Sequence, residues 1–188
     1  MRIDRKMNLV FPVDTEAGTV YVHTTPISRE VFEQHFLVIS QTFAALYQQG
    51  LNIVAGPRIA GMMLKDLAMK QGNWEGPDGV KEGLVAEMRR LTMVAVPGEK
   101  GWQMMPFDEV CDRGILDQDD QSEVEGAVTF FTCVSAMHRR DQLPGVLAGM
   151  ASLWDAQITS LNFTAYVASL PTLTGEPSTT TATSSVPS

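Results

Sequence analysis

Cysteine is nearly absent from this chain, with only Cys111 and Cys133 among 188 residues. That excludes a disulfide framework and suits a reducing compartment, with both thiols read as small buried hydrophobes. Long apolar runs are missing too: nothing approaches the roughly 18 residues a membrane-spanning helix needs. The opening Met1-Arg2-Ile3-Asp4-Arg5-Lys6 carries charge with no apolar stretch behind it, so no secretion signal is expected. Positive charge is scarce, with 14 Lys and Arg against 22 acids and a net charge of −8. Phosphate contacts need clustered bases, and Arg89-Arg90 and Arg139-Arg140 read as solvated helix ends, so nucleic acid is not an expected partner.

What acid there is lies unevenly. Eight carboxylates between Asp108 and Glu125 face the single base Arg113, so that segment carries −7 of the total −8. The length fits one domain with a proper core.

The stretch from Ser28 to Gln49 reads as one amphipathic helix, with Phe32, Phe36, Ile39, Phe43 and Leu46 returning to one face. Ser28 is placed to cap it and Gly50 to end it. Before it, Asn8–Val13 and Thr19–His23 alternate in the manner of strands around the turn residues Asp14–Gly18, which predicts a β-hairpin. An unpaired edge there offers a partner a place to add a strand.

A second helix is expected over Leu51–Lys70, with Pro57 near its start and Ile59, Met62, Met63, Leu67 and also Met69 as candidates for the inward stripe, then a loop through Asn73–Gly79. A third, Val80–Val94, buries Leu84, Met88 and Leu91, and Glu99–Met105 follows as a loop. Pro106 opens a short helix to Arg113. The acidic linker Asp117–Asp120 then leads to a capping box, Ser122 with Glu125, starting a helix that runs to about His138. Pro144 begins another through Trp154, and a last short one lies between Ser160 and Leu170. Pro171–Ser188, rich in Ser, Thr and Pro, is expected to be disordered, because it buries too little to offset its ordering entropy. The fold expected is mainly α: a bundle-like single domain with an N-terminal hairpin arm (1–27), a helical domain (28–170) and the tail (171–188).

Chemical signatures do not survive inspection. Gly56 and Gly61 have phosphate-loop spacing, but Met62 and Met63 stand where Lys and Ser or Thr are needed. A calcium loop begun at Asp117 would require Gly at 122 and Glu at 128, and meets Ser122 and Val128. His23, His35 and His138 share no metal spacing. Cys133 and His138 lie five apart, not quite facing on one helix, which is poor geometry for a nucleophile pair. No catalytic, cofactor or metal residues are assigned, and no enzyme activity is expected. Methionine is plentiful, with pairs at Met62-Met63 and Met104-Met105. Such side chains fill cores, and also line faces that hold variable apolar partners. Gly145 and Gly149 permit close helix packing.

The segments Arg2–Val10, Thr25–Phe32, Ser135–Arg139 and Ala151–Trp154 through Thr159–Asn162 resemble a family of small proteins from the tail gene cluster of tailed bacteriophages, the tail assembly chaperones. The likeness spans most of residues 1–170. It implies a mostly helical, non-enzymatic protein of the host cytoplasm, absent from the finished virion, that binds the tape-measure protein and tail-tube subunits; a homo-oligomer is a separate expectation. It also implies a longer frameshifted form, for which the Ser/Thr/Pro tail would be the junction. Phe32, Phe36, Phe43, Met62, Met63 and Met69 are the expected protein-binding surface. The rival reading is a structural virion component, such as a tail completion or connector protein, that pairs strands through the hairpin.

Overall fold

The computed structural model describes residues 7–16, 18–48, 52–139, 141–148 and 154–173. The mainly α expectation is overturned: the fold is mixed, built on a five-stranded antiparallel sheet. Strands β1 (Asn8–Thr15) and β2 (Gly18–Thr24) form the expected hairpin. Pairing continues to Thr15↔Gly18, where φ of +118° at Gly18 favours glycine. The hairpin lies inside the sheet, because β3 (Thr92–Gly98) pairs with β2 and β5 (Gln157–Thr159) with β1. β4 (Gly101–Pro106) returns from β3 by a tight turn in which Gly98 pairs with Gly101.

Three of these strands differ from the sequence expectation. Thr92–Val96 belongs to β3, where a helix is expected to run on to Val94, and Glu99–Met105 holds a turn and a strand where a loop is expected. β5 is the third. Thr-Met-Val-Ala-Val is a short apolar run that suits either period; pairing of Thr92 with Thr24 and Val94 with Val22 decides it.

Side chains alternate across the sheet. Leu9, Phe11, Val13, Val20, Val22, Val94, Val96 and Met105 share one face and enter the core. Against that core pack α2 (Phe36–Gln48), α3 (Asn52–Lys70) and α6 (Gln118–Met137). The hub is α6, buried on every side from Gly126 to Val134, while α2 adds one buried face to the same core. Asp117 caps α6 and forms the capping box with Asp120. The expected box at Ser122 and Glu125 therefore falls inside the helix, where Ser122 Oγ donates to the Gln118 carbonyl.

The Ser28–Gln49 stretch is broken. Ser28 caps α1 (Arg29–Gln34) as expected, accepting from the Val31 N–H, and His35 then interrupts the helix before α2. That break turns the face, so α2 buries Val38, Ile39, Thr42 and Leu46 and leaves Phe36 half exposed. A single π-helical turn (Lys81–Val85) leads into α4 (Ala86–Arg90), and Pro106 opens α5 (Phe107–Asp112). α7 (Leu143–Val146) is one turn long, and the remainder of the expected Pro144–Trp154 helix falls largely outside the described residues.

The outer face of the sheet is covered by the C-terminal segment. α8 (Phe163–Ser169), capped by Asn162, sets Tyr166 edge-on to Tyr21 at 6.4 Å and Phe163 beside His23 at 5.5 Å. Burial, with Tyr21 adding to it, pushes the Tyr166 hydroxyl up to about 12, so the ring stays neutral. Asn8 Nδ2 and His23 Nε2 both lie within hydrogen-bond distance of the Leu161 carbonyl, and Trp102 donates to the Pro171 carbonyl. The expected disordered tail lies, from residue 174 onward, outside the described residues.

Candidate functional site

A groove of about 640 Å³ opens between α3, the π turn with α4, α5 and α6. Its floor is apolar: Leu64, Met88, Phe107, Val124 and Val128 line it and are buried. Local chemistry fixes the walls. α3 and α6 cross where Gly61 meets Gly126, so their backbones run close. The Trp74 loop is tied to the π turn by Lys81 N–H donating to the Trp74 carbonyl and Val80 N–H to that of Asn73. Gly79 in this loop has no room for a Cβ, which would sit 2.8 Å from the Glu75 carbonyl oxygen. Gly83, in the π turn, lets the His35 ring approach; π turns recur at functional sites.

Arg89 of α4 lies at the groove wall. Its guanidinium pairs with Asp108 of α5 at 2.6 Å and with Glu125 of α6, and sits 5.0 Å from the Phe107 ring centre. Those carboxylates more than offset the burial of Arg89 and raise its pKa. Arg89 is therefore a half-buried clasp between three helices, where the sequence suggested a solvated helix end; Arg90 does pair at the surface with Glu87. Lys65 lies 5.7 Å over Trp74 at the rim, and Arg58, Lys81 and Met62 complete it.

Of the expected binding residues, only Met62 lines this groove, and it is 65% exposed. Met69 is exposed elsewhere on α3, and Met63 is half-buried against the core. Phe32 and Phe36 meet edge-on at 5.6 Å where α1 joins α2, and Phe43 stacks between Tyr47 and His138. The six thus form no single patch. The methionines divide: Met88 and Met105 are core, Met104 and Met137 surface.

The phosphate-loop glycines both fall within α3, and Gly61 serves the crossing with α6. Asp117, offered to calcium by spacing, spends its carboxylate on the cap of α6. Burial pushes the Cys133 thiol up to about 12, so it holds its proton at neutral pH. The His138 ring is engaged with the Val134 carbonyl. Among the described residues no three His, Cys, Asp or Glu side chains are grouped to hold a metal ion. Gly145 meets no neighbour that a Cβ would touch, and Gly149 lies outside the described residues. Arg58, Lys65, Trp74, Lys81 and Arg89 escaped sequence reasoning. A tryptophan in a Gly/Pro loop was the one available signal, since the loop itself gives it no local partner.

No protein-family model, curated protein or solved structure matches this chain.

Proposed function

We propose that the chain is a non-enzymatic tail assembly chaperone of a tailed bacteriophage. It would work in the host cytoplasm, holding apolar helical surface of the tape-measure protein and recruiting tail-tube subunits. One observation carries this reading: an open groove between α3, α4, α5 and α6 with an apolar lining and the exposed Met62 side chain at its rim. Such a surface binds by excluding water and needs no bond-making group. The resemblance of the Arg2–Val10, Thr25–Phe32 and Ser135–Arg139 segments supplies the identity of the client. Co-expression with the tape-measure protein of the same gene cluster, followed by affinity purification, tests it. Stable co-purification is expected, and its absence at micromolar concentration overturns the assignment.

A second reading, a structural component of the virion, draws on the sheet edges. β5 pairs with only Asn8, Leu9 and Val10 of β1, so Phe11–Thr15 has no strand on that side among the described residues. β4 ends the sheet opposite and carries no charged side chain from Gly101 to Pro106. Either edge can take a strand from another copy in a ring, though Pro12 blunts the first. Mass spectrometry of purified particles separates the two: this chain at stoichiometric level supports the structural role and removes the chaperone one.

A further inference from the structure

We propose that the groove between α3 and α6 receives one helix of a partner protein, and that this helix carries an apolar stripe bordered by aspartates and glutamates. The inference rests on the chaperone reading only in taking this groove as the partner-binding surface.

Charge points to an acidic partner. Arg29, Lys70, Arg89, Arg90 and Arg113 are each held in an ion pair. Among the described residues Arg58, Lys65, Lys81, Lys100 and Arg139 have no carboxylate within pairing distance. Three of these, Arg58, Lys65 and Lys81, line the groove. Of the carboxylates beside them, Asp108 and Glu125 are taken up by Arg89, which leaves Glu82. A chain with a net charge of −8 thus places three of the five unpaired cations among its described residues around one apolar floor. An occupant with acidic flanks completes those pairs, and a basic one meets a rim of like charge.

Hydrogen bonding points to an apolar stripe. The buried side-chain polar atoms without a partner among the described residues are Asn8 Oδ1 and His35 Nε2, and neither residue lines the groove. Thr92, at its floor, donates to the Met88 carbonyl. No fully buried side-chain polar atom of the groove lacks a partner among the described residues, and the charged groups that give specificity stand at the rim.

The walls point to a helix. Apart from Trp74 and Thr92, the lining comes from α3, the π turn, α4, α5 and α6, so no strand edge offers a main-chain ladder. An occupant must be recognised through side chains alone, which is the helix-in-groove mode.

Two labelled synthetic peptides of about 18 residues, long enough for a helix of about 27 Å, test this on the intact chain by fluorescence anisotropy. Both carry the same leucine stripe, one flanked by glutamates and the other by lysines. The glutamate peptide is expected to bind at least about tenfold tighter at low salt. Lys65→Glu with Lys81→Glu, both at exposed positions that leave the core untouched, is expected to reverse the preference; Lys100→Glu, away from the groove, leaves it unchanged. Equal binding of the two peptides, indifference to the double reversal, or no saturable binding by about 1 mM peptide overturns the proposal. Co-purification of the tape-measure protein that survives the double reversal also overturns it while the chaperone reading stands. Peptide discrimination without co-purification supports the groove assignment and removes only the client.

Discussion

Gly126 of α6 lies against the backbone carbonyl of Pro57 in α3, so closely that a Cβ on Gly126 would overlap the oxygen. Pro57 sits inside α3 and forgoes one helical hydrogen bond, and its carbonyl is the backbone group that meets α6 at Gly126. The neighbouring Gly61 is looser: its Cβ would meet Gly126 Cα at 3.8 Å, an ordinary contact.

The two glycines should therefore respond in opposite senses. Gly126→Ala forces the helices apart against backbone atoms and is expected to cost about 2 kcal/mol or more. At about 2–4 °C per kcal/mol for a chain of this size, the melting temperature falls by several degrees. Gly61→Ala gains helix propensity without a clash and should be neutral or stabilising by up to about 1 kcal/mol. Thermal unfolding of both variants checks the pair, and a destabilised Gly61→Ala beside a tolerant Gly126→Ala would contradict the crossing.

His35 and His23 make stability depend on pH. Burial lowers the pKa of both rings from 6.5, and His23 keeps a hydrogen bond with the Leu161 carbonyl that only partly opposes the shift. The unfolded chain then binds protons more readily, so stability is fully present above about pH 6.5 and declines as pH falls below it. Urea midpoints at successive pH values should show that decline. His35 Nε2 is buried without a partner, so His35→Leu is expected to flatten the slope at little cost near neutral pH.

A Cβ at Gly83 would stand 2.5 Å from His35 Nε2. Gly83→Ala is accordingly expected to destabilise by about 1–3 kcal/mol. Combining it with His35→Ala should recover part of the loss, because the ring that blocks the methyl is gone. A double-mutant cycle with no coupling would contradict the contact.

The Arg89 clasp joins α4, α5 and α6. Arg89→Ala is expected to cost about 1–2 kcal/mol, from a half-exposed charge network at about 1 and the contact with Phe107 at about 0.5–1. Arg89→Lys should retain under half of this, since an ammonium lacks the fork that serves Asp108 and Glu125 together. Salt should narrow the difference between wild type and variant, measured by urea unfolding at low and high ionic strength.

Exposed apolar positions separate folding from binding. Met62→Glu and Phe36→Glu, at 65% and 50% exposure, are expected to change stability by no more than about 0.5 kcal/mol. Only Met62→Glu, at the groove, should weaken co-purification of the tape-measure protein. Loss from the Phe36 variant alone would move the binding surface to the junction of α1 and α2.

Local chemistry settled much of the chain without help. The β1–β2 hairpin, the Ser28 cap, α3, α5, the C-terminal end of α6 and α8 follow from alternation, capping residues and glycine or proline stops that act within a few residues. Distance defeated the same reasoning elsewhere. Thr92–Val96 is a strand because β2, some 70 residues earlier, offers Thr24 and Val22 as partners, and a short apolar run holds no record of what lies beside it. The groove is of that kind. Arg58, Lys65, Lys81 and Arg89 look alike as solvated cations in the sequence, and only packing gives Arg89 its two carboxylates and leaves the other three unpaired around an apolar floor. Capping and periodicity are properties of neighbours along the chain; burial and pairing of charge depend on neighbours in space, which folding alone supplies.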